Sequence, residues 1–313
     1  MPRIAIATAI VAAGMDDDLV PLRAACIAAG IDASVLAWDD ATVGWARFDA
    51  VLVRSTWDYT ERLGEFLHWC ARVEAVTELL NPHALLRWNT DKHYLNDLAA
   101  MGLPTVPGVF VEPDADPLPA LQSFLARFPD PEYVVKPAIS AGARDTQRYA
   151  RHQEFAAGNH MARLLDAGRS VMLQPYLDKV DTQGESGLVY IGGQFSHAIR
   201  KSPRLLPGNE AGSEATAVET ITCAVPAADE LALAEATMAA IARHPDLGHA
   251  PPIYARVDLI RDARGAPCVL ELELVEPSLF LPGAPGSPDR LAAALLARLA
   301  PWGDQLAPPV HDR

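Results

Sequence analysis

The segment from Ile253 to Leu281, IYARVDLIRDARGAPCVLELELVEPSLFL, constrains this chain more than any other. Two runs of β-branched and aliphatic residues, IYARVDLI and CVLELELV, flank the turn-forming RDARGAP, a pattern that predicts a β-hairpin. Side chains alternate faces along a strand, so Arg256 and Asp258 share one face of the first strand and Glu271 and Glu273 one face of the second. Leu270, Leu272 and Leu274 then point into a core. Three carboxylates and a guanidinium on one face suit a site for metal and nucleotide, because magnesium takes oxygen ligands and usually only one or two carboxylates beside substrate phosphates. An antiparallel hairpin with one solvated face would carry the same residues, and the hairpin alone does not separate the two readings.

At 313 residues, 50% of them hydrophobic and 21% charged, the chain is long enough for two or three compact units with a sizeable core. A formal charge of −14 argues against binding a phosphate backbone, which needs clustered Lys and Arg, so no nucleic-acid partner is expected. Cys26, Cys70, Cys223 and Cys268 are far apart and form no CxxC pair. Neither a disulfide framework nor a zinc site follows, and buried thiols in a reducing cytoplasm are expected. Arg3 and the apolar run IAIATAIVAA resemble a signal peptide only superficially, because the run is short and passes into Gly14 and the acids Asp16, Asp17 and Asp18. It reads as a first strand, and no membrane partner is expected.

LVPLRAACIAAGI then supplies an amphipathic helix closed by Gly30, and ASVLAWDD and DAVLVRST read as strands of a small α/β unit. That unit ends in RSTWDY, Arg54 to Tyr59. Ligands of open α/β sheets sit beyond the carboxyl ends of strands, where Arg54 could pair a carboxylate and Asp58 an ammonium, with Ser55, Trp57 and Tyr59 beside them. Equally, Ser55 or Thr56 could cap a helix with an aromatic packed behind it.

ERLGEFLHWCARVEAV follows as a helix, and Asn89 to Met101 reads as another, closed by Gly102 and Pro104. Lys92 falls in its first turn, where the helix dipole disfavours a cation unless an anion is near. The Pro- and Asp-rich stretch from Glu112 to Glu132, around one short helix, marks a subdomain boundary. In YVVKPAISAGARDTQRY, Lys136 ends a strand and precedes the small-residue loop Ser140, Ala141, Gly142 and Ala143, a way to hold and cover phosphates. Neither GxxxxGK[ST] nor GxGxxG occurs. SVMLQPYL is a strand whose polar end could bond an adenine edge while Tyr176 or Leu177 packs on its face. GESGLVYIGGQFSHAIRK is a hairpin turning at Gly192 and Gly193, which brings Arg200 and Lys201 toward the end that holds the later acids. The nine histidines show no ligand spacing, and His197 reads as a core or site-wall residue.

Taken in order, Lys92 in NTDKHYL, Lys136 in VVKP, the loop SAGARDT, QPYL, the hairpin with Lys201, ARVDL and ELELVEPS resemble the ATP-grasp ligases over most of the chain. RSTWDY, VDTQGE, FSHA and LELELVEPSLFL look most like the branch that contains the D-cycloserine-forming ligase, with glutathione synthetase and RimK-type ligases more distant. The resemblance implies an α/β fold with an α+β lid. Its parts are a Rossmann-like substrate domain over residues 1–85, a linker helix and lid over 86–177, and an ATP- and metal-binding subdomain over 178–313.

The resemblance further implies ATP with Mg2+ or Mn2+. Lys92 and Lys136 would hold the phosphates beneath the loop of Ser140 and Gly142, Gln174, Tyr176 and Leu177 would frame the adenine, and Asp181 would meet the ribose. Asp258, Glu271 and Glu273 would bind metal, while Arg256 and Lys201 would face the transferred phosphoryl group. Many family members carry Asn where Glu273 stands, which leaves the number and charge of the metals open. The implied activity is phosphorylation of a carboxylate on an amino-acid-like substrate, followed by attack of an amine. Whether the amine belongs to the same molecule, as in D-cycloserine formation, stays open, as does a homodimer. The expected partners are small carboxylates and amines. A nucleotide-binding module without catalysis fits less well, because both lysines and all three acids are present; a two-lobed amino-acid-binding protein would show affinity independent of ATP.

Overall fold

The computed structural model describes residues 1–205, 219–247 and 250–300, so three pieces of the expected 178–313 subdomain, 206–218, 248–249 and 301–313, lie outside the described residues. The apolar N-terminal run is β1 (Arg3–Thr8), buried at every residue but the first, as a parallel strand covered on both faces should be. With α1 (Leu19–Ala28), β2 (Asp32–Ala37), β3 (Ala50–Val53), α2 (Leu63–Glu74) and β4 (Glu78–Leu80) it builds a parallel sheet ordered β2-β1-β3-β4. Strand order reverses direction from β1 to β3, and the carboxyl ends of that pair form the usual ligand crevice of such sheets.

The continuous helix expected from Asn89 to Met101 is instead two, α3 (His83–Asn89) and α4 (Tyr94–Ala100). Lys92 lies in the turn between them, where its backbone N–H donates to Ala138 O at 3.0 Å, a bond to another segment that a continuous helix would forbid. Next come β5 (Val109–Val111), α5 (Pro117–Arg127), β6 (Glu132–Pro137), β7 (Gln147–Ala150), α6 (Glu154–Asp166) and β8 (Val171–Pro175), with the antiparallel order β5-β8-β6-β7. Asp116 caps α5 by accepting from Leu118 N at 3.2 Å, and Pro117 starts it, where no N–H is needed. Through Leu121, Phe124 and Leu125, α5 packs into the core beneath this sheet together with α6. The Pro- and Asp-rich stretch therefore belongs inside this unit rather than at its boundary.

The one-turn helix α7 (Val180–Gln183) leads to β9 (Glu185–Ile191), β10 (Gln194–Lys201), β11 (Ile221–Ala224), α8 (Ala228–Arg243), β12 (Tyr254–Arg261), β13 (Pro267–Glu273) and α9 (Ser287–Leu299). These strands form an antiparallel sheet ordered β11-β10-β9-β12-β13. Gly192 and Gly193, at φ 58° and 78°, make the predicted hairpin turn. The outer edge of β13 is not left bare. Asn89 donates to Leu272 O at 2.8 Å and accepts from Leu274 N at 2.7 Å, and the Tyr94 hydroxyl accepts from Leu272 N at 2.9 Å. Covering the edge in this way also fixes the turn with Lys92 beside the acids of β13. At the other end α9 packs on α1 in a shared core with Ile4, Ile6 and Tyr254.

No helix among the described residues is long and apolar enough to cross a membrane. Cys26, Cys70 and Cys268 are buried, but Cys223 is exposed, because β11 is an edge strand.

Candidate active site

The β12–β13 register places Arg256 opposite Glu273 and Asp258 opposite Glu271, so the four predicted residues share one face. Between Asp258 and Leu259 the register shifts, leaving Leu270 as an extra residue in β13. The bulge turns Leu270 into the cavity, whereas Leu272 and Leu274 enter the core; simple alternation had assigned all three to the core.

Cations surround the acids. Asp258 accepts from Arg256 Nε and Nη2, both at 2.8 Å, and from Lys201 Nζ at 2.7 Å. Across from it on β9 stands Gly187, where a Cβ would come to 3.0 Å from an Asp258 oxygen and 2.9 Å from the Ile199 Cδ1, so a larger residue would press on the carboxylate. Glu273 pairs with Arg256, and Lys201 also pairs with Glu185. Glu271 accepts from Lys136 Nζ at 3.0 Å, with Lys92 Nζ at 4.0 Å. Alternation on β10 sends Arg200 the other way, to Glu230 at 3.5 Å, so only Lys201 of the pair reaches the acids.

These contacts set the charge states. Burial opposes ionisation of Glu271, but Lys136 and Lys92 outweigh it and bring its pKa down to about 2. Asp258 is buried too, yet Arg256 and Lys201 hold it far below the usual carboxylate range. Burial pushes Glu273 up, with Arg256 offsetting only part. Glu185 rises to about 7 through burial, against the pull of Lys201. Burial also lowers Lys92, against the attraction of Glu271. A buried ammonium and carboxylates locked to cations are a balanced set that an incoming anion would disturb.

Among the described residues no three acidic, His or Cys side chains converge on a point that could hold a metal. The predicted three-carboxylate site is thus not assembled in this arrangement, because the oxygens are turned toward Arg256, Lys201 and Lys136. The donor chemistry still fits magnesium: Asp258 and Glu271 are all-oxygen donors opposite each other on paired strands, and that ion draws its other ligands from phosphates and water.

A cavity of 560 Å³ opens over this face, lined by Lys92, Ser140, Gly142, Lys201, Arg256, Asp258, Glu271 and Glu273. Lys92 Nζ donates to Ser140 O at 3.1 Å and lies 3.2 Å from its hydroxyl. Gly142, Ala143 and Asp145 adopt φ values of 63°, 59° and 54°. Asp145 is held there by Arg163 at 2.9 Å and Arg169 at 2.6 Å. An apolar slot of 130 Å³ adjoins, walled by Val106, Lys136, Gln174, Tyr176, Leu177 and Leu270. Asp181 does not line it. Its carboxylate accepts from Tyr176 Oη at 2.5 Å and Arg148 Nη1 at 3.1 Å, so it braces the Tyr176 ring, over which the Arg148 guanidinium lies at 3.6 Å, and the expected ribose contact is not prepared.

The segment RSTWDY divides. Trp57 and Tyr59 line the cavity; Arg54, Ser55 and Asp58 do not. Arg54 is 1% exposed, bonded to Asp18 at 3.0 Å and lying 5.4 Å over the Tyr254 ring, so in this arrangement it faces Asp18 and not the cavity. Ser55 is fully buried against Thr8 at 3.0 Å. Asp58 accepts from Trp38 Nε1 at 2.9 Å and faces Arg62 at 3.6 Å, which occupies it. Sequence reasoning missed Glu276, which lines the cavity and hydrogen-bonds Tyr59. Burial, reinforced by Glu273, pushes its carboxyl up to about 8. Asp16, Asp17 and Asp18 were read only as the end of an apolar run, yet they wall a neighbouring recess of 290 Å³ that shares Trp57, Ser278 and Phe280 with the cavity. His197 is a wall residue, bonded through Nε2 to Leu279 O at 2.7 Å.

Residues 4–81 match the family described as D-cycloserine synthetase DcsG, N-terminal domain. The cycloserine biosynthesis protein DcsG of Streptomyces lavendulae is 43% identical over 299 residues, 95% of this chain and 99% of that one. The crystal structure of D-cycloserine synthetase DcsG superposes with a TM-score of 0.89, covering 95% of this chain and 100% of that one at 43% identity. The fold is shared more widely: the ATP-grasp ligase PsnB gives a TM-score of 0.63 at 21% identity, covering 95% and 99% of the two chains. D-alanine–D-alanine ligase from Bacillus anthracis gives 0.65 at 15%, covering 96% and 97%. The fold is therefore that of the ATP-grasp enzymes, and the chain belongs to the DcsG family of ATP-dependent ligases.

Proposed function

We propose that the cavity phosphorylates the carboxyl group of an amino-acid-like substrate with ATP and then lets an amine displace the phosphate, the ring closure to D-cycloserine being the specific reaction that the relatives' names suggest. The observation that carries this reading is the ring of Lys92, Lys136, Lys201 and Arg256 around Asp258, Glu271 and Glu273, on the wall between an apolar slot and an acceptor-side recess. Tyr176, Leu177, Leu270 and Gln174, which line the slot, would hold the adenine. Lys92 and Lys136, now on Glu271, would hold the phosphates, an exchange that would balance the buried Lys92 ammonium and free carboxylate oxygens. Magnesium or manganese, held by Asp258, Glu271 and Glu273, would neutralise phosphate charge when bound.

Little covalent work falls to the protein, and positioning with electrostatics does most of it. Arg256 and Lys201 face the site of phosphoryl transfer, where charge develops. The loop Ser140–Thr146 closes the top of the cavity and keeps water from the acyl phosphate. Trp57, Tyr59 and the Glu276 carboxyl, whose pKa burial raises, shape the acceptor side. In this reading 1–85 supplies the substrate wall, 86–177 the lid and 178–313 the metal-bearing sheet, working in the cytoplasm. ADP release should appear with magnesium, ATP and a narrow set of amino-acid-like carboxylates, and Glu271→Ala should abolish it. Full turnover by a folded Glu271→Ala protein would remove the hairpin from the chemistry.

A further inference from the structure

Phe280 has φ 54° and ψ 38°, a left-handed conformation that a bulky L residue rarely adopts. Such an outlier persists only where its surroundings over-determine it. They do here. The two oxygens of Asp18 grip the peptide N–H groups on either side of Phe280: Oδ2 accepts from Leu279 N at 2.6 Å and Oδ1 from Leu281 N at 2.7 Å. Leu279 O is held by His197 at 2.7 Å, and Arg54 Nη2 donates to Asp18 Oδ2 at 3.0 Å. Asp18 is 3% exposed and comes from the loop before α1, far from this turn in sequence.

The turn also bears on the reaction centre. Arg256 Nη1 donates to Ser278 O at 2.8 Å, and the Arg256 guanidinium lies 5.5 Å over the Phe280 ring. We propose that Asp18 is a positioning residue: by clamping the backbone on both sides of Phe280, the N-terminal unit sets the turn that aims Arg256 into the cavity. The inference rests on the ligase reading of that cavity. Arg54, which touches no part of the cavity, then contributes to turnover only by holding Asp18.

In Asp18→Asn one oxygen becomes an NH2 that must face Leu279 N, Leu281 N or Arg54, all donors, so the clamp loosens while the side-chain size is kept. Steady-state ADP release from the full chain should show kcat lowered by about ten- to a hundredfold, the scale of a small misplacement at a reacting centre, with the KM for ATP within about twofold. Gly adopts positive φ without strain, so in a Phe280→Gly background the turn no longer needs the clamp. There Asp18→Asn should lower kcat by less than about threefold, a non-additivity that direct contact of Asp18 with substrate would not produce. An unchanged kcat in folded Asp18→Asn, or the same loss in both backgrounds, overturns the proposal. Cys223 gives a readout independent of catalysis, because its Sγ donates to Gly283 O at 2.6 Å, just beyond the turn. Iodoacetamide should alkylate Cys223 faster in Asp18→Asn, and an unchanged rate overturns the clamp. A wild-type chain that releases no ADP with any amino-acid-like carboxylate instead retires the ligase reading, and the alkylation rates still decide the clamp.

Discussion

Arg54, at the end of β3, and Arg256, within β12, offer the same residue types and opposite outcomes. Each is a buried arginine bonded to aspartate, 1% and 5% exposed. Arg256 shares Asp258 with Lys201 and faces a cavity at which Lys92 and Lys136 hold a third carboxylate. Arg54 meets Asp18 and the Tyr254 ring, and the crevice is closed around it. A buried ion pair by itself says little about function. What separates the two is an open volume and an excess of partners that a ligand could exchange for its own.

Removing Arg54 should therefore cost stability first. Arg54→Ala leaves the buried Asp18 charge with only the N–H groups of Leu279 and Leu281 to balance it, and loss of one partner of a buried pair costs about 3–5 kcal/mol, measurable by urea unfolding. A variant of undiminished stability whose only defect is a raised KM for the amino acid would return Arg54 to the substrate site. Arg256→Lys keeps charge but loses the planar fork that reaches Asp258 and Glu273 together. A loss of about 10²–10³ in kcat is expected, as for other groups aimed at developing charge; turnover near wild type would make Arg256 structural, like Arg54.

Glu276 lies between the two regions and sharpens the contrast through pH. Its carboxyl is raised from 4.5 to about 8, so between these values the folded protein binds the proton more tightly than the unfolded chain, and stability falls as pH rises through that window. Glu276→Gln should remove about 1–2 kcal/mol of that decline, because the carboxyl borders a cavity open to water, which screens it. Parallel pH profiles for the two proteins would mean that the Glu276 carboxyl titrates in its ordinary range. The smallest effect belongs to Arg144, whose pairing with Glu61 is exposed at 47% and 65%. Arg144→Ala should change stability by less than about 1 kcal/mol in thermal melts, and a larger loss would mean that the lid is tied to the N-terminal unit.

The same contrast explains what the sequence could disclose. Arg256, Asp258, Glu271 and Glu273 come from adjacent strands of one hairpin, so alternation and a short turn were enough to put them on one face. Lys201 followed from a second hairpin with an unmistakable Gly192–Gly193 turn. Arg54, expected at the substrate, is instead bonded to an aspartate 36 residues earlier, in a loop whose path no periodicity encodes. The contact of Asp181 with Arg148 is hidden for a related reason, because Arg148 reaches it from β7, while Tyr176 meets it from just beyond β8. Glu276 follows the end of β13, where alternation no longer applies, and the break between α3 and α4 depends on Ala138, a contact invisible to helix propensity.

The extra residue at Leu270 makes β13 a ruler with an offset mark. Without it every second side chain would face the ligand, and an apolar platform would stand two positions from the first acid. With it, Leu270 and Glu271 both face the cavity, one turned to the slot and the other to Lys136. The hydrophobic end and the ionic end of a bound molecule are thus read by consecutive residues. Length changes in this strand should then be judged by parity: deleting one residue before Leu270 would exchange inside and outside for the stretch from Pro267 to Val269, whereas deleting two would preserve the pattern and shorten the hairpin.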